Sequence, residues 1–128
     1  MMNAILAILA FFMAFSLSAE RPPLTSAQLQ KEADQICMGT VSDIQSEREC
    51  FNLSCTDYRM DYTVKFNTTS CSKNYAPVVY ARFFDNVYEG CPPPGASGHY
   101  PQPAVGQAGT MYLKDGEIVY PNGWVLEE

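Results

Sequence analysis

Between Asp57 and Thr68 the chain reads Asp-Tyr-Arg-Met-Asp-Tyr-Thr-Val-Lys-Phe-Asn-Thr. Tyr58, Met60, Tyr62, Val64 and Phe66 take alternate positions, and Arg59, Asp61, Thr63, Lys65 and Asn67 fall between them. A strand sends successive side chains to opposite faces, so this period of two makes one dry face and one wet face. A helix would scatter the same residues around its circumference. The stretch is therefore a β-strand, and its length places it near the centre of a sheet.

The flanking segments supply strands to pair with it. Ile36–Gln45 reads as a first strand, with Ile36, Met38 and Ile44 on one parity and Cys37 and Val41 on the other. Gly39 in its middle marks a bulge or a close backbone approach. Ser46–Thr56 reads as a polar connection. Pro77–Phe84 is a third strand with Val79, Ala81 and Phe83 on one side and Val78, Tyr80, Arg82 and Phe84 on the other. Asp115-Gly116 is a two-residue hairpin signal between Thr110–Lys114 and Glu117–Tyr120. Tyr120-Pro121-Asn122-Gly123 gives a further turn, after which Trp124–Glu127 would close a three-stranded meander. One helix precedes the strands, predicted over Ser26–Asp34. Thr25 and Gln28 have capping-box spacing, and Leu29, Ala33 and Ile36 share a face.

The residues before Glu20 read as an address rather than as fold. Ile5–Phe15 is an apolar run too short to cross a bilayer, and the small residues Ser16, Ser18 and Ala19 follow it. That is the pattern of a secretory signal peptide over residues 1–19, cleaved after Ala19 or Ser18. The n-region Met1-Met2-Asn3 lacks Lys and Arg, and an uncleaved signal anchor is the alternative. About 110 residues remain from 20 to 128, the size of one disulfide-linked domain. The expected location is extracellular, or periplasmic for a bacterial chain, with no stable membrane insertion after cleavage. The formal charge is −6, all of it carried from Glu20 onward. A chain this acidic, with no Lys/Arg cluster, repels phosphate backbones and anionic membranes, which excludes nucleic acid as an expected partner.

Five cysteines follow the candidate cleavage site: Cys37, Cys50, Cys55, Cys71 and Cys91. In an oxidising compartment they imply two disulfides and one cysteine left over, which allows a disulfide-linked dimer. Strand geometry narrows the pairing. A straight strand over Asp57–Phe66 spans about 33 Å at roughly 3.3 Å per residue. The few residues to Cys71 reach back only about 17 Å. A disulfide needs Cα atoms within about 7 Å, so Cys55–Cys71 is excluded. Antiparallel pairing of the first two strands brings Cys37 to Cys71. The same pairing of strands two and three returns Cys91 to the loop holding Cys50 and Cys55. The expectation is Cys37–Cys71, with Cys91 bound to Cys50 or Cys55. Its rival is a local Cys50–Cys55 bridge that leaves Cys91 free.

Three pieces resemble secreted OB-fold modules of the netrin-like kind. They are Ala33-Asp34-Gln35-Ile36-Cys37-Met38-Gly39-Thr40-Val41, Tyr62-Thr63-Val64-Lys65-Phe66 and Gly106-Gln107-Ala108-Gly109-Thr110-Met111-Tyr112-Leu113. The order of helix, cysteine, strands and Gly-x-x-Tyr-Leu is similar too. The expected class is all-β with one short N-terminal helix. It is a small antiparallel β-barrel or sandwich, and the resemblance implies a five-stranded OB-like barrel. Netrin-like tissue inhibitors of metalloproteinases chelate zinc through an N-terminal cysteine. Here the first cysteine is Cys37, so the resemblance carries over a shape and no site.

Chemistry is thin in this sequence. There is no Cys-x-x-Cys, and His99 is the single histidine, so neither a metal ligand set nor a cofactor is expected. A Cys–His hydrolase would need an unpaired cysteine beside His99. Asp57, Asp61 and Asp85 are the acids available for glycoside hydrolysis, and acids on strand faces and turns are usually just solvated. Asn52-Leu53-Ser54 and Asn67-Thr68-Thr69 are glycosylation sequons, making Asn52 and Asn67 the candidate acceptors. Cys91–Pro103 is an irregular Pro/Gly-rich loop, fit for a solvated connection or for the exposed loop of a proteinase inhibitor. Tyr88, His99 and Tyr100 in or near it are the candidate contact residues. The expected activity is non-catalytic binding of a protein or a glycan.

Overall fold

The computed structural model describes residues 21–93 and 97–128. Residues 1–20, which hold the expected signal peptide, and positions 94–96 of the Cys91–Pro103 loop lie outside the described residues. Helix α1, Ser26–Glu32, starts on the expected capping box: Thr25 Oγ1 accepts from Gln28 N–H at 3.2 Å, and the Gln28 side chain accepts from Thr25 N–H at 2.8 Å. It ends two residues short of the prediction. Ala33 is extended, and the Asp34 amide donates to Leu113 O at 2.8 Å, which turns the chain into the sheet.

Six strands follow: β1 Gln35–Cys50, β2 Tyr58–Cys71, β3 Val78–Val87, β4 Ala108–Lys114, β5 Glu117–Ile118 and β6 Trp124–Leu126. They form one mixed sheet in the order β1-β2-β3-β5-β4-β6, and β1 also pairs with β4, so the sheet is partly closed into a ring. The fold is thus mostly β with one short helix, as expected. Two features depart from expectation. β3 pairs with β5 in parallel, through Arg82 and Glu117, so the sheet is not wholly antiparallel. The last three strands are not a meander, because β6 pairs with β4 rather than β5. β6 takes the same edge of β4 as β5, opposite β1, but farther along the strand, where the Trp124 ring crosses Gly109.

β1 is the strand that shapes the ring. Its register on β2 shifts between Met38 and Gly39 and again between Val41 and Asp43. A Cβ on Gly39 would stand 2.1 Å from Asn67 O, so the bend at that crossing requires glycine. Cys37–Thr40 is paired on both sides, by β2 and by β4. Beyond Val41, β1 leaves β4 and runs on as a ribbon with β2. It continues to Cys50, through residues that read in sequence as a polar connection.

The dry face of β2 behaves as the alternation requires. Val64 and Phe66 are buried with Val41, Phe83, Met111, Leu113, Ile118 and Trp124 in one core cluster. Phe66 meets Trp124 edge-on at 5.9 Å. Burying a phenylalanine of this kind stabilises by about 1.5–3 kcal/mol. Tyr62, half-buried at the end of the row, stacks on Phe83 at 4.6 Å. Burial raises its phenol pKa above the ordinary value, with Asp85 and then Tyr58 adding to the effect.

Candidate functional site

The wet face of β2 is the floor of the candidate site. Cross-strand partners share a face, so the register builds transverse rows. One row runs Gln45, Thr63, Arg82, Glu117 over β1, β2, β3 and β5; the next runs Glu47, Asp61, Phe84; a third runs Glu49, Arg59, Asn86. From these rows Gln45, Glu47, Arg59, Asp61, Thr63, Arg82 and Glu117 line an open groove of about 410 Å³. Arg59 is fixed within it. Its Nε donates to Asp61 Oδ1 at 2.7 Å, and its guanidinium lies 4.2 Å from the centre of the Phe84 ring. Phe84 in turn stacks with Tyr120 at 5.4 Å. The Arg82 guanidinium donates to Asp115 O at 3.0 Å. Among the described residues Glu47, Glu49 and Glu117 enter no ion pair. The groove therefore offers unneutralised carboxylates beside an amide and a hydroxyl, with its arginines already engaged.

His99 holds the back of this face in place. It is 2% exposed, wedged edge-on between Phe84 and Tyr120 with ring centres at 4.8 and 5.3 Å. Nδ1 accepts from Phe84 N–H at 3.1 Å, which leaves the hydrogen on Nε2 to be donated to Ile118 O at 2.7 Å. Its backbone N–H also donates to Phe84 O at 2.9 Å. Burial is the main cause that lowers its pKa below the ordinary histidine value, so the ring is neutral. The expected surface role of His99 is corrected here. The chain around His99 is irregular, and the imidazole bridges the β3 backbone at Phe84 and the β5 backbone at Ile118.

The cysteines settle into one expected bridge and one rival. Cys37–Cys71 forms across β1 and β2, with Cα atoms 4.1 Å apart. The predicted link from Cys91 does not form: Cys50 bonds Cys55 with Cα atoms 4.9 Å apart, and Cys91 is free and exposed. The loop itself explains the local bridge. Asn52 Oδ1 accepts from Thr56 and Asp57 amides at 3.1 and 3.4 Å, and Phe51 N–H donates to Asp57 O at 2.8 Å. Cys55 takes a positive φ of 56° and completes the reversal. Because β1 runs on to Cys50, both cysteines sit at the mouth of one tight hairpin.

The other expected residues lie apart. Tyr88 is half-buried and stacks on Phe51 at 5.9 Å, against the hairpin loop. Tyr100 is 81% exposed, beside the turn of Pro121. Asn52 is exposed but its amide is spent inside the hairpin loop, whereas Asn67 points outward from β2. Asp57 caps the Glu89 amide at 3.0 Å, and Asp61 and Asp85 fall on opposite faces of the sheet, so these three acids do not converge. Among the described residues no group of three or more His, Cys, Asp or Glu gathers as metal ligands. No described helix is long and apolar enough to cross a membrane. The groove residues Gln45, Glu47, Arg82 and Glu117 are missed by sequence reading, since only the register assembles their rows. Comparison of the chain with protein-family models, curated proteins and solved structures gives no match, so the site is read from its own geometry.

Proposed function

We propose that this chain is a secreted, non-catalytic binding module on an OB-like barrel, and that a protein or glycan ligand lies across the outer face of β1, β2 and β3. The ring β1-β2-β3-β5-β4, partly open and joined back to β1, supports the OB-like reading. Barrels of that type bind extended ligands across the face of strands two and three. Two disulfides suit an oxidising, extracellular compartment. The observation that carries the reading is the polar groove, with carboxylates at Glu47 and Glu117 that enter no ion pair among the described residues. The charge of −6 favours a neutral or basic ligand over nucleic acid.

The hydrolase alternative lacks its base. Both ring nitrogens of His99 are occupied by Phe84 and Ile118 backbone groups, while Cys91 is exposed. The inhibitor alternative would present Cys91–Pro103, whose described residues are exposed apart from the buried anchors Gly98, His99 and Pro103. The test is binding of the oxidised protein to immobilised glycan and peptide libraries, read against a Glu47→Lys, Thr63→Lys variant. Ligands held by the parent and lost by the variant support the groove. Identical profiles for the two proteins would overturn it.

A further inference from the structure

β1 changes character along its length. Its first part is paired on both edges, and Val41 ends that pairing by bonding to Gly106 and Gln107. From Asp43 to Glu49 the strand still pairs with β2 on one side. On the other side, among the described residues, no backbone partner meets it. Apart from half-buried Ile44 these residues are exposed. An edge of this kind presents every second N–H and C=O to solvent, which is a template for another strand.

The side chains along the edge select what can use it. Asp43, Gln45, Glu47 and Glu49 share the outer face, and Arg48 lies on the inner face, 4.2 Å from the centre of the Tyr58 ring. The row is therefore acidic on the side where an added strand would place its own alternate residues. A second copy of this chain is disfavoured, because edge-to-edge pairing would set two acidic rows against each other. Like charges on edge strands serve to keep such pairs apart. Opposite charges are attracted by the same row. Glu47 also stands directly across from Asp61 on β2, and Asp61 is the one that Arg59 neutralises. That leaves the Glu47 carboxylate without compensation inside the protein.

We infer that the open edge of β1, Asp43–Glu49, binds an extended basic polypeptide segment by strand addition, with Lys or Arg at alternate positions set against Glu47 and Glu49. The inference rests on the binding-module reading and names its partner class. Backbone hydrogen bonds to the edge hold the segment, and the carboxylate row sets its charge and register. The Arg59–Phe84 stack lies behind the row as a rigid wall.

The probe is a short synthetic peptide alternating Lys with Thr, titrated into the oxidised, full chain. Binding is followed by backbone amide exchange and by affinity. The expected result is binding that weakens as salt rises, with new protection at alternate amides of Asp43–Glu49. N-methylation of alternate peptide residues abolishes it in one register and spares it in the other. Neutralising the row with Glu47→Gln and Glu49→Gln weakens it about two- to thirty-fold, since each cross-strand charge pair is worth a factor of roughly 1.4 to 5. The same variant keeps or raises the melting temperature of the free protein. Binding without edge protection, or insensitive to N-methylation, overturns strand addition while leaving the binding module intact. Concentration-dependent pairing of the chain through this edge overturns the choice of partner. Failure of the basic peptide, with a glycan or neutral peptide bound on the groove, overturns this inference and not the module.

Discussion

Removing the His99 side chain tests how the outer face is held. The ring is buried and joins two backbones: it accepts from Phe84 N–H at 3.1 Å and donates to Ile118 O at 2.7 Å. His99→Ala strands both groups. A buried group left without its partner costs about 1–3 kcal/mol, and the lost edge contacts with Phe84 and Tyr120 add about 0.5–1.5 kcal/mol each. The expected loss is about 3–9 kcal/mol, against a total of about 5–15 kcal/mol for a typical domain. His99→Asn keeps an acceptor for the Phe84 amide and should lose less. Urea unfolding read by the fluorescence of Trp124, the single tryptophan, gives both values.

The same residue predicts a pH dependence. Burial lowers the native pKa, so the unfolded chain takes up a proton as pH falls below about 6.5 while the native state resists. Stability is fully present above that pH and declines as pH falls toward the native pKa. The slope can reach about 1.4 kcal/mol per pH unit. His99 is the only histidine, and His99→Asn should flatten the curve between pH 6.5 and the range where carboxylates titrate. A parent curve that is already flat there, or a loss below about 1 kcal/mol in His99→Ala, would refute the account of His99 as a buried, neutral strut.

Two further predictions concern the covalent frame and the β1 bend. Loop closure over a sequence separation of 34 for Cys37–Cys71 and 5 for Cys50–Cys55 implies losses of about 4 and about 2 kcal/mol when each pair becomes alanine. Equal losses would contradict the pairing, and so would alkylation of any native cysteine other than Cys91. Gly39→Ala must push its methyl group away from Asn67 O, and a crowded site of this type costs about 1–3 kcal/mol. An unchanged melting temperature would mean that the strands can part at that crossing.

Local periodicity carried the parts of the fold that depend on one strand at a time. Alternation over Tyr58–Phe66 located β2 and its dry face, and the capping box located α1. Gly39 in an otherwise regular strand marked the close approach. Pairing of β1 with β2 put Cys37 opposite Cys71. What stayed hidden depends on elements far apart in the chain. Ser46–Glu49 is polar on both parities and exposed throughout, so period two cannot be seen there. His99 sits among prolines and glycines, where irregular backbone leaves no pattern. Its burial follows from an aromatic cage contributed by Phe83, Phe84 and Tyr120. The expected link to Cys91 gives way because β1, longer than its periodicity shows, brings Cys50 back to Cys55. The groove needs the register of four strands at once, and no single segment contains it.

The groove also breaks a rule that the rest of the sheet obeys. Glu47 faces Asp61 directly across β1 and β2, and a like-charge pair in that position destabilises the strand pairing. Arg59 offsets only half of the problem. It is held to Asp61 by a bond of 2.7 Å and to Phe84 by stacking, and enters no ion pair with Glu49, its own cross-strand neighbour. Packing provides no reason for Glu47, because the side chain is exposed on an open edge. Neutral Gln in its place would satisfy water equally well and spare the repulsion. Conflicts of this local kind concentrate where a surface is arranged for something outside the protein. An external cation on an added strand is the group that would relieve this one. The acidic row thus works against β1–β2 in the free protein and for it in a complex, which is why neutralising the row should move stability and affinity in opposite directions.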